Sequence, residues 1–282
     1  MAQTTAEELG HGAPAHGHDP HGHQEHPFLA HHFDTPKHQF EAGKLGIWIF
    51  LAQEVLFFSA LFCAYAIYRA LHPEIFVYAH YYLDTFWGGF NTCVLIVSSL
   101  TAALAVRYAQ LGEKRKLVIS IVLTIVCAFG FLGVKYVEYS HKFHEHVLPG
   151  KHFAPKQPVW ELESYKKAQE RHGHPKVEVP AVPLAPADTQ LSAAGEAAKQ
   201  PPPGALEQPR NVGVFFSIYF CMTGLHGIHV IAGIIVWFWI LRRALRNEFG
   251  PTHFGAVDYA ALYWHLVDLI WIYLFPLLYL IH

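Results

Sequence analysis

Charged side chains are scarce in this chain. Asp, Glu, Lys and Arg make up 15% of its 282 residues, against roughly 25% in a typical soluble domain. The apolar fraction is 52%. The polar residues gather near the N-terminus and between about 140 and 210, which leaves the rest strongly apolar. Such segregation excludes an ordinary soluble globule and points to a membrane protein with polar segments attached. Cysteine is also sparse. Cys63, Cys93, Cys127 and Cys221 all fall in apolar runs and no two form a CxxC pair, so neither a disulfide framework nor a zinc site is expected. Net charge is −2 with neutral histidines, which gives no electrostatic basis for binding nucleic acid. The segment before Leu45 lacks a basic stretch followed by a short apolar run, so no secretory leader is expected there.

What the chain does have is five long apolar runs, near 45–71, 86–109, 117–139, 212–241 and 257–281. Each exceeds the ~20 residues that span a ~30 Å hydrocarbon core. The fold expected is an all-α polytopic bundle of five transmembrane helices. Lys and Arg set its orientation. QLGEKRK joins the second and third runs, and RRALRNEFGPTHFGAVD joins the fourth and fifth, while the short loop after the first run, HPEIFVYAHYYLDT, has neither residue. The positive-inside rule then puts both basic loops and the N-terminus in the cytoplasm and the C-terminus on the outer side. Four segments follow: a disordered His-rich cytoplasmic tail over 1–40, three helices over 41–140, a long outer loop over 141–210 and two helices over 211–282. The tail holds nine histidines between His11 and His38, a composition able to bind divalent metal weakly without fixed geometry. In the outer loop a Pro/Ala-rich linker follows a first half with Trp160 and Tyr165, which is expected to be a solvated spacer.

Ionisable residues inside the runs are few, and their depths coincide. By helix rise from the basic-loop ends, Glu54 lies at ~14 Å, His229 at ~18 Å, His226 at ~22 Å, His265 at ~12 Å and Asp268 at ~16 Å. His226 and His229 are three apart, as are His265 and Asp268, so each pair shares a helix face. A carboxylate facing lipid costs a few kcal/mol, so the five groups are expected to turn inward, toward each other. Glu54 then meets His226 or His229, either as a carboxylate on an imidazolium or as a neutral acid. Three roles remain open at this point: an interhelical hydrogen-bond cluster, a site for lipid headgroups or protons, and bis-His haem ligation between His226 or His229 and His265. Lys135 and Glu138, three apart, are expected to form a local ion pair near the outer interface. Ser98, Thr101, Ala102 and Ala105, with Gly224, Gly227 and Gly233, suit close helix packing.

Five motifs in order carry a resemblance: QEVLFFSALF around Glu54, NTCVLIVSS from Asn91, KYVEY ending at Tyr139, GLHGIHVIAG from Gly224 and YWHLVDLIWIYL from Tyr263. Over about 37–140 and 211–282 the chain resembles subunit III of the haem–copper cytochrome c oxidases, in the five-span bacterial form that lacks the first two spans of the mitochondrial one. The loop at 140–210 is longer than the family's, and Lys135 stands where the family often has an uncharged polar residue. The resemblance implies a non-catalytic subunit of a respiratory oxidase in the inner (cytoplasmic) membrane, supporting sustained, proton-coupled oxygen reduction. No haem or copper is implied on this chain; both are expected on partner subunits. The implied partners are oxidase subunits I and II and a phospholipid held in a cleft between helices. The outer loop is a candidate contact for cytochrome c or another respiratory complex. Glu54, His226, His229, His265 and Asp268 match the family's intramembrane polar positions, and Arg242 and His253 match basic positions that meet lipid phosphates. A quinol oxidase or a nitric oxide reductase system would carry an equivalent subunit. A transporter is the alternative of another class, although the sequence has no internal repeat or broken span to support it.

Overall fold

The computed structural model describes residues 33–147, 149, 154–172 and 206–281. Among these the secondary structure is helical, with no strand. Seven α-helices follow one another: α1 (Pro36–Leu71), α2 (Pro73–Ala79), α3 (Thr85–Leu111), α4 (Lys114–His144), α5 (Glu163–His172), α6 (Val212–Leu245) and α7 (Gly255–Tyr279). Helices α1, α3, α4, α6 and α7 are long and apolar enough to cross a membrane. The expected five spans are present.

Local chemistry explains the helix ends. Oγ1 of Thr35 accepts a hydrogen bond from the His38 amide at 3.1 Å, and Pro36 occupies the first helical position, where a missing N–H costs nothing. Helix α1 therefore begins inside the stretch 1–40 expected to be tail. In the first turns of α1, Lys37 and Glu41 pair at 3.7 Å. The remainder of the expected tail, including its histidines before His38, lies outside the described residues. Asp84 caps α3 by accepting from the Phe86 amide at 2.9 Å. Gly112 ends that helix at φ +73°, a left-handed conformation that glycine adopts without strain, and α4 starts two residues later. Nζ of Lys114 donates to the Leu245 carbonyl at 3.1 Å, placing a cation on the negative end of α6.

Helix α3 packs most closely on α4 and then on α7, while α6 packs on α7, α4 and α2. Helices α3 and α7 run antiparallel, and a ladder of contacts shows their register. Oγ1 of Thr85 donates to the Tyr279 carbonyl, Nε1 of Trp271 to Thr92 Oγ1 at 3.1 Å and Nε1 of Trp264 to Ser98 Oγ at 2.9 Å. Each step of about seven residues down α3 meets an equal step up α7. Ser98, Thr101, Ala102 and Ala105 are buried along this seam, as their small size suggests. The glycines divide. A Cβ at Gly233 would fall inside the Trp264 ring, whereas Gly224 and Gly227 have no neighbour there. Only Gly233 serves the close packing expected of all three.

Helix α1 packs less closely on the other long helices than those helices pack on one another. Its buried residues are Leu51, Phe58 and Tyr65, at seven-residue intervals, which makes a single narrow seam. Three polar contacts hold it at successive levels. Lys44 pairs with Asp258 of α7 at 3.8 Å, Glu54 meets His229 of α6, and the Tyr65 hydroxyl donates to the Leu277 carbonyl of α7. Those levels are ~15 Å apart by helix rise.

The loop regions are more structured than expected. The short connection after α1 folds into α2 and a 3-10 turn at His80–Tyr82. Ile75, Phe76, Tyr78 and Ala79 are buried there, with Phe76 edge-on to Phe215 of α6 at 5.2 Å. The first half of the long loop is not a solvated spacer. A 3-10 turn at Val159–Glu161 and helix α5 dock on this cap. Val159 and Tyr165 are buried, Tyr165 packs edge-on to Tyr81 at 5.1 Å, and Ser164 Oγ donates to the Tyr81 carbonyl at 2.6 Å. Aromatic burial outweighs the charge of ESYKKAQERH because only one face of α5 docks. The Pro/Ala-rich half of the loop lies outside the described residues.

Candidate functional site

Glu54 and His229 come together midway along α1 and α6. Nε2 of His229 lies 2.9 Å from Oε2 of Glu54, and Nδ1 of the same ring is 2.8 Å from the Leu225 carbonyl. A carbonyl only accepts, so Nδ1 carries a proton. The Tyr263 hydroxyl donates to the His229 carbonyl at 3.0 Å, and Phe57 and Phe58 pack beside the imidazole, with Phe58 edge-on at 5.1 Å. Glu54 is thus bonded to an imidazole that is flanked by aromatic rings, the kind of pairing expected for an acid at this depth.

The other three groups do not join it. His226 is wholly buried, edge-on to Phe131 at 5.5 Å and tilted against Trp271 at 5.3 Å, and neither ring nitrogen has a hydrogen-bond partner among the described residues. Nε2 of His265 lies 3.1 Å from the Ser99 carbonyl of α3. Asp268, 2% exposed, lies within reach of the Ser99 side chain of α3. The expected cluster of five is therefore one pair, Glu54 with His229, and three separate groups. The reason is rotational. Residues three apart on a helix differ by about 60° in direction, enough for His229 to face α1 while His226 faces α4 and α7. His229 is engaged at both nitrogens and His265 points to α3, a geometry that lends the bis-His haem reading no support. Among the described residues no three His, Cys, Asp or Glu side chains are placed to hold a metal ion.

Lys135 and Glu138 form the expected local pair at 2.7 Å, and it is buried within a wider network. Both are 8% exposed. Glu138 Oε1 accepts from Lys142 Nζ at 3.0 Å, from the Tyr219 hydroxyl at 2.8 Å and from the Tyr279 hydroxyl at 2.5 Å. Lys135 Nζ also donates to the Tyr279 hydroxyl at 2.8 Å and sits 4.5 Å from the Trp271 ring centre. One carboxylate thus ties α4 to α6 and α7. Lys142, Tyr219 and Tyr279 were absent from the sequence-based site. The signal available was Lys142, four residues beyond Glu138 on the same face.

At the opposite end Arg242 and His253 are not brought together. Arg242 is exposed, and His253 lies 3.3 Å from NH2 of Arg243 instead. Nε of Arg243 donates to Glu248 at 2.6 Å, and its guanidinium stacks over Trp239 and Phe249 at 4.7 and 5.0 Å. Burial, and then the Arg243 charge, push the His253 pKa below its usual value.

Residues 210–282, which include α6 and α7, match the family model described as Cytochrome c oxidase subunit III. Across most of its length the chain also resembles "Quinol oxidase subunit 3" of Bacillus subtilis, with 24% identity over 253 residues, covering 86% of this chain and 91% of that protein. "Probable quinol oxidase subunit 3" of Staphylococcus saprophyticus is 22% identical over 266 residues, covering 89% and 95%. These matches agree with the resemblance to subunit III of the haem–copper oxidases drawn from the motifs. The proteins it resembles are named as subunits of oxidases. The relatives' names favour the quinol oxidase alternative over the cytochrome c oxidase expected first.

Proposed function

We propose that this subunit III is a non-catalytic component of a quinol-oxidising terminal oxidase in the cytoplasmic membrane. It packs beside the catalytic subunit and sustains proton-coupled oxygen reduction. Haem and copper belong, in this reading, to the partner subunits. The quinol oxidase names of relatives that align along most of the chain support the donor. Cytochrome c, named by the family description, is the second candidate.

The observation that carries the role is the Glu54–His229 contact across two helices that otherwise approach little. Helix α1 exposes Leu45, Trp48, Ile49, Val55 and Leu56 and is held at three polar levels rather than by close packing. A helix set apart in this way leaves room for acyl chains beside it. The pair fixes the spacing so that a phospholipid fills the gap in one arrangement. Exposed Arg242 at the end of α6 suits a lipid phosphate, because its planar fork matches phosphate oxygens. The basic loops at that end favour the cytoplasmic side for it under the positive-inside rule.

Gentle purification through a tag on this chain, followed by mass spectrometry and oxygen-consumption assays, tests the reading. Co-purification of a haem–copper catalytic subunit and oxygen uptake with a quinol donor are expected. Uptake with reduced cytochrome c but not quinol would reverse the donor. Recovery of the chain alone, active in solute uptake, would defeat the oxidase role.

A further inference from the structure

The Glu138 cluster carries more positive charge than negative. Two ammonium groups, Lys135 and Lys142, share one carboxylate, and the other side chains bonded to it are the neutral tyrosines 219 and 279. Its hydrogen-bond inventory is unbalanced in the same direction. Glu138 receives four donors, three on Oε1 and one on Oε2. Lys135 uses two of its three N–H groups, on Glu138 and Tyr279. Lys142, 4% exposed, bonds only Glu138, which leaves two N–H groups without an acceptor among the described residues. Among the described residues such a centre is short of acceptors and of negative charge together, and a buried unpaired charge is costly.

Depth indicates what supplies them. Lys142 lies 28 residues beyond Lys114, ~42 Å along α4, whereas the hydrocarbon core is ~30 Å thick. It therefore sits at headgroup level on the Tyr279 side of the bundle. Next to it on α4, Tyr136, Val137 and Phe143 are exposed, and Phe143 and Tyr139 pack on Phe220 of α6 at 6.0 and 5.0 Å. That surface suits an acyl chain. The Lys135 charge is held in place by the rings of Trp271, Tyr279 and Tyr219, at 4.5, 5.2 and 5.7 Å, and Lys142 lies 5.2 Å from the Tyr219 ring.

We propose that the Lys142 end of this cluster binds a phosphate oxyanion, supplied by a phospholipid headgroup in the leaflet on the Tyr279 side. This inference stands on the cluster's geometry and does not depend on the oxidase reading. The phosphate accepts from the unused N–H groups of Lys142, and its charge offsets the surplus cation. Glu138 keeps the two lysines apart and aligned.

The test uses the full chain, purified with whatever subunits accompany it, delipidated in mild detergent and then titrated with phosphatidylglycerol. Native mass spectrometry counts the retained lipids. The wild-type chain is expected to hold one phosphatidylglycerol that Lys142→Met lacks, with Lys142→Arg restoring it. A second arm adds inorganic phosphate. Displacement of that lipid only at far higher phosphate concentration supports a headgroup as the source, and equal competition makes the free anion the source of the same oxyanion. Equal lipid counts in all three proteins would overturn the proposal. A further measurement needs no variant: in wild-type protein in bilayers, phosphorus-31 should dephase the nitrogen-15 signal assigned to Lys142 Nζ. Its absence also overturns the proposal, whether or not Lys142→Met folds.

Discussion

Glu54 and His229 need only one proton between them. Because Nδ1 of His229 already donates to the Leu225 carbonyl, the contact at Nε2 is either an imidazolium donating to a carboxylate or a carboxylic acid donating to a neutral ring. In both forms the pair is neutral overall. A neutral, hydrogen-bonded pair escapes most of the cost of an isolated charge in hydrocarbon, which explains how an acid is accommodated at this depth.

That economy gives the first prediction. Glu54→Gln preserves a donor for Nε2 and should change stability by under about 1 kcal/mol. Glu54→Ala leaves Nε2 unpaired and should cost about 1–3 kcal/mol. In the assembled complex the alanine variant should start turnover normally but lose activity sooner, as α1 loosens and lipid order is lost. Thermal unfolding and turnover lifetime measure both effects. Equal behaviour of the two variants would refute a role for the hydrogen bond. Infrared spectroscopy of the carboxyl stretch separates the two proton positions.

Depth along a helix was legible in the sequence, and direction around it was not. Helix rise put Glu54 and His229 at similar levels, and they do meet. It put His226, His265 and Asp268 there too, yet His226 packs on Phe131 of α4 and Trp271 of α7, and His265 meets the Ser99 carbonyl of α3. Rotation depends on packing, here on Trp264 seated over Gly233 and Trp271 bonded to Thr92. The Glu138 network was hidden for a similar reason. Tyr219 and Tyr279 lie 81 and 141 residues from Glu138, and no local pattern links them. Helix α5 escaped notice because its charges mask the single docked face around Tyr165.

Gly233 provides a contrast within one helix. A methyl group there enters the Trp264 ring, and the ring is fixed by its bond to Ser98. Gly233→Ala should destabilise by about 1–3 kcal/mol, as overpacking does. Gly224→Ala and Gly227→Ala meet open space and should stay within about 0.5 kcal/mol of wild type. Thermal unfolding in one detergent compares all three. Equal losses at all three positions would contradict the packing described.

Glu138→Ala removes the carboxylate that, among the described residues, bonds both Lys135 and Lys142, and strands both charges. Loss of one partner from a buried pair costs about 3–5 kcal/mol, so this should be the most damaging of these substitutions. Partial recovery is expected in Glu138→Ala/Lys135→Met, because Trp271 and Tyr279 already make an apolar enclosure for the methionine. A double variant no more stable than Glu138→Ala would show that charge imbalance is not the cause.

His253 makes the loop between α6 and α7 sensitive to acid. Its folded pKa is lowered from 6.5, first by burial and then by Arg243, with Glu248 opposing. The folded loop therefore holds fewer protons than the unfolded one below that value. Its contribution is fully present above pH ~6.5 and declines as pH falls toward the lower folded value. Hydrogen exchange of residues 246–254 should speed up on acidification relative to the α6 core, after correction for intrinsic rates. His253→Gln should flatten that dependence while leaving the Arg243–Glu248 bond in place. If the glutamine variant kept the wild-type pH profile, the titrating group would be elsewhere, and the burial of His253 would have no consequence for the loop.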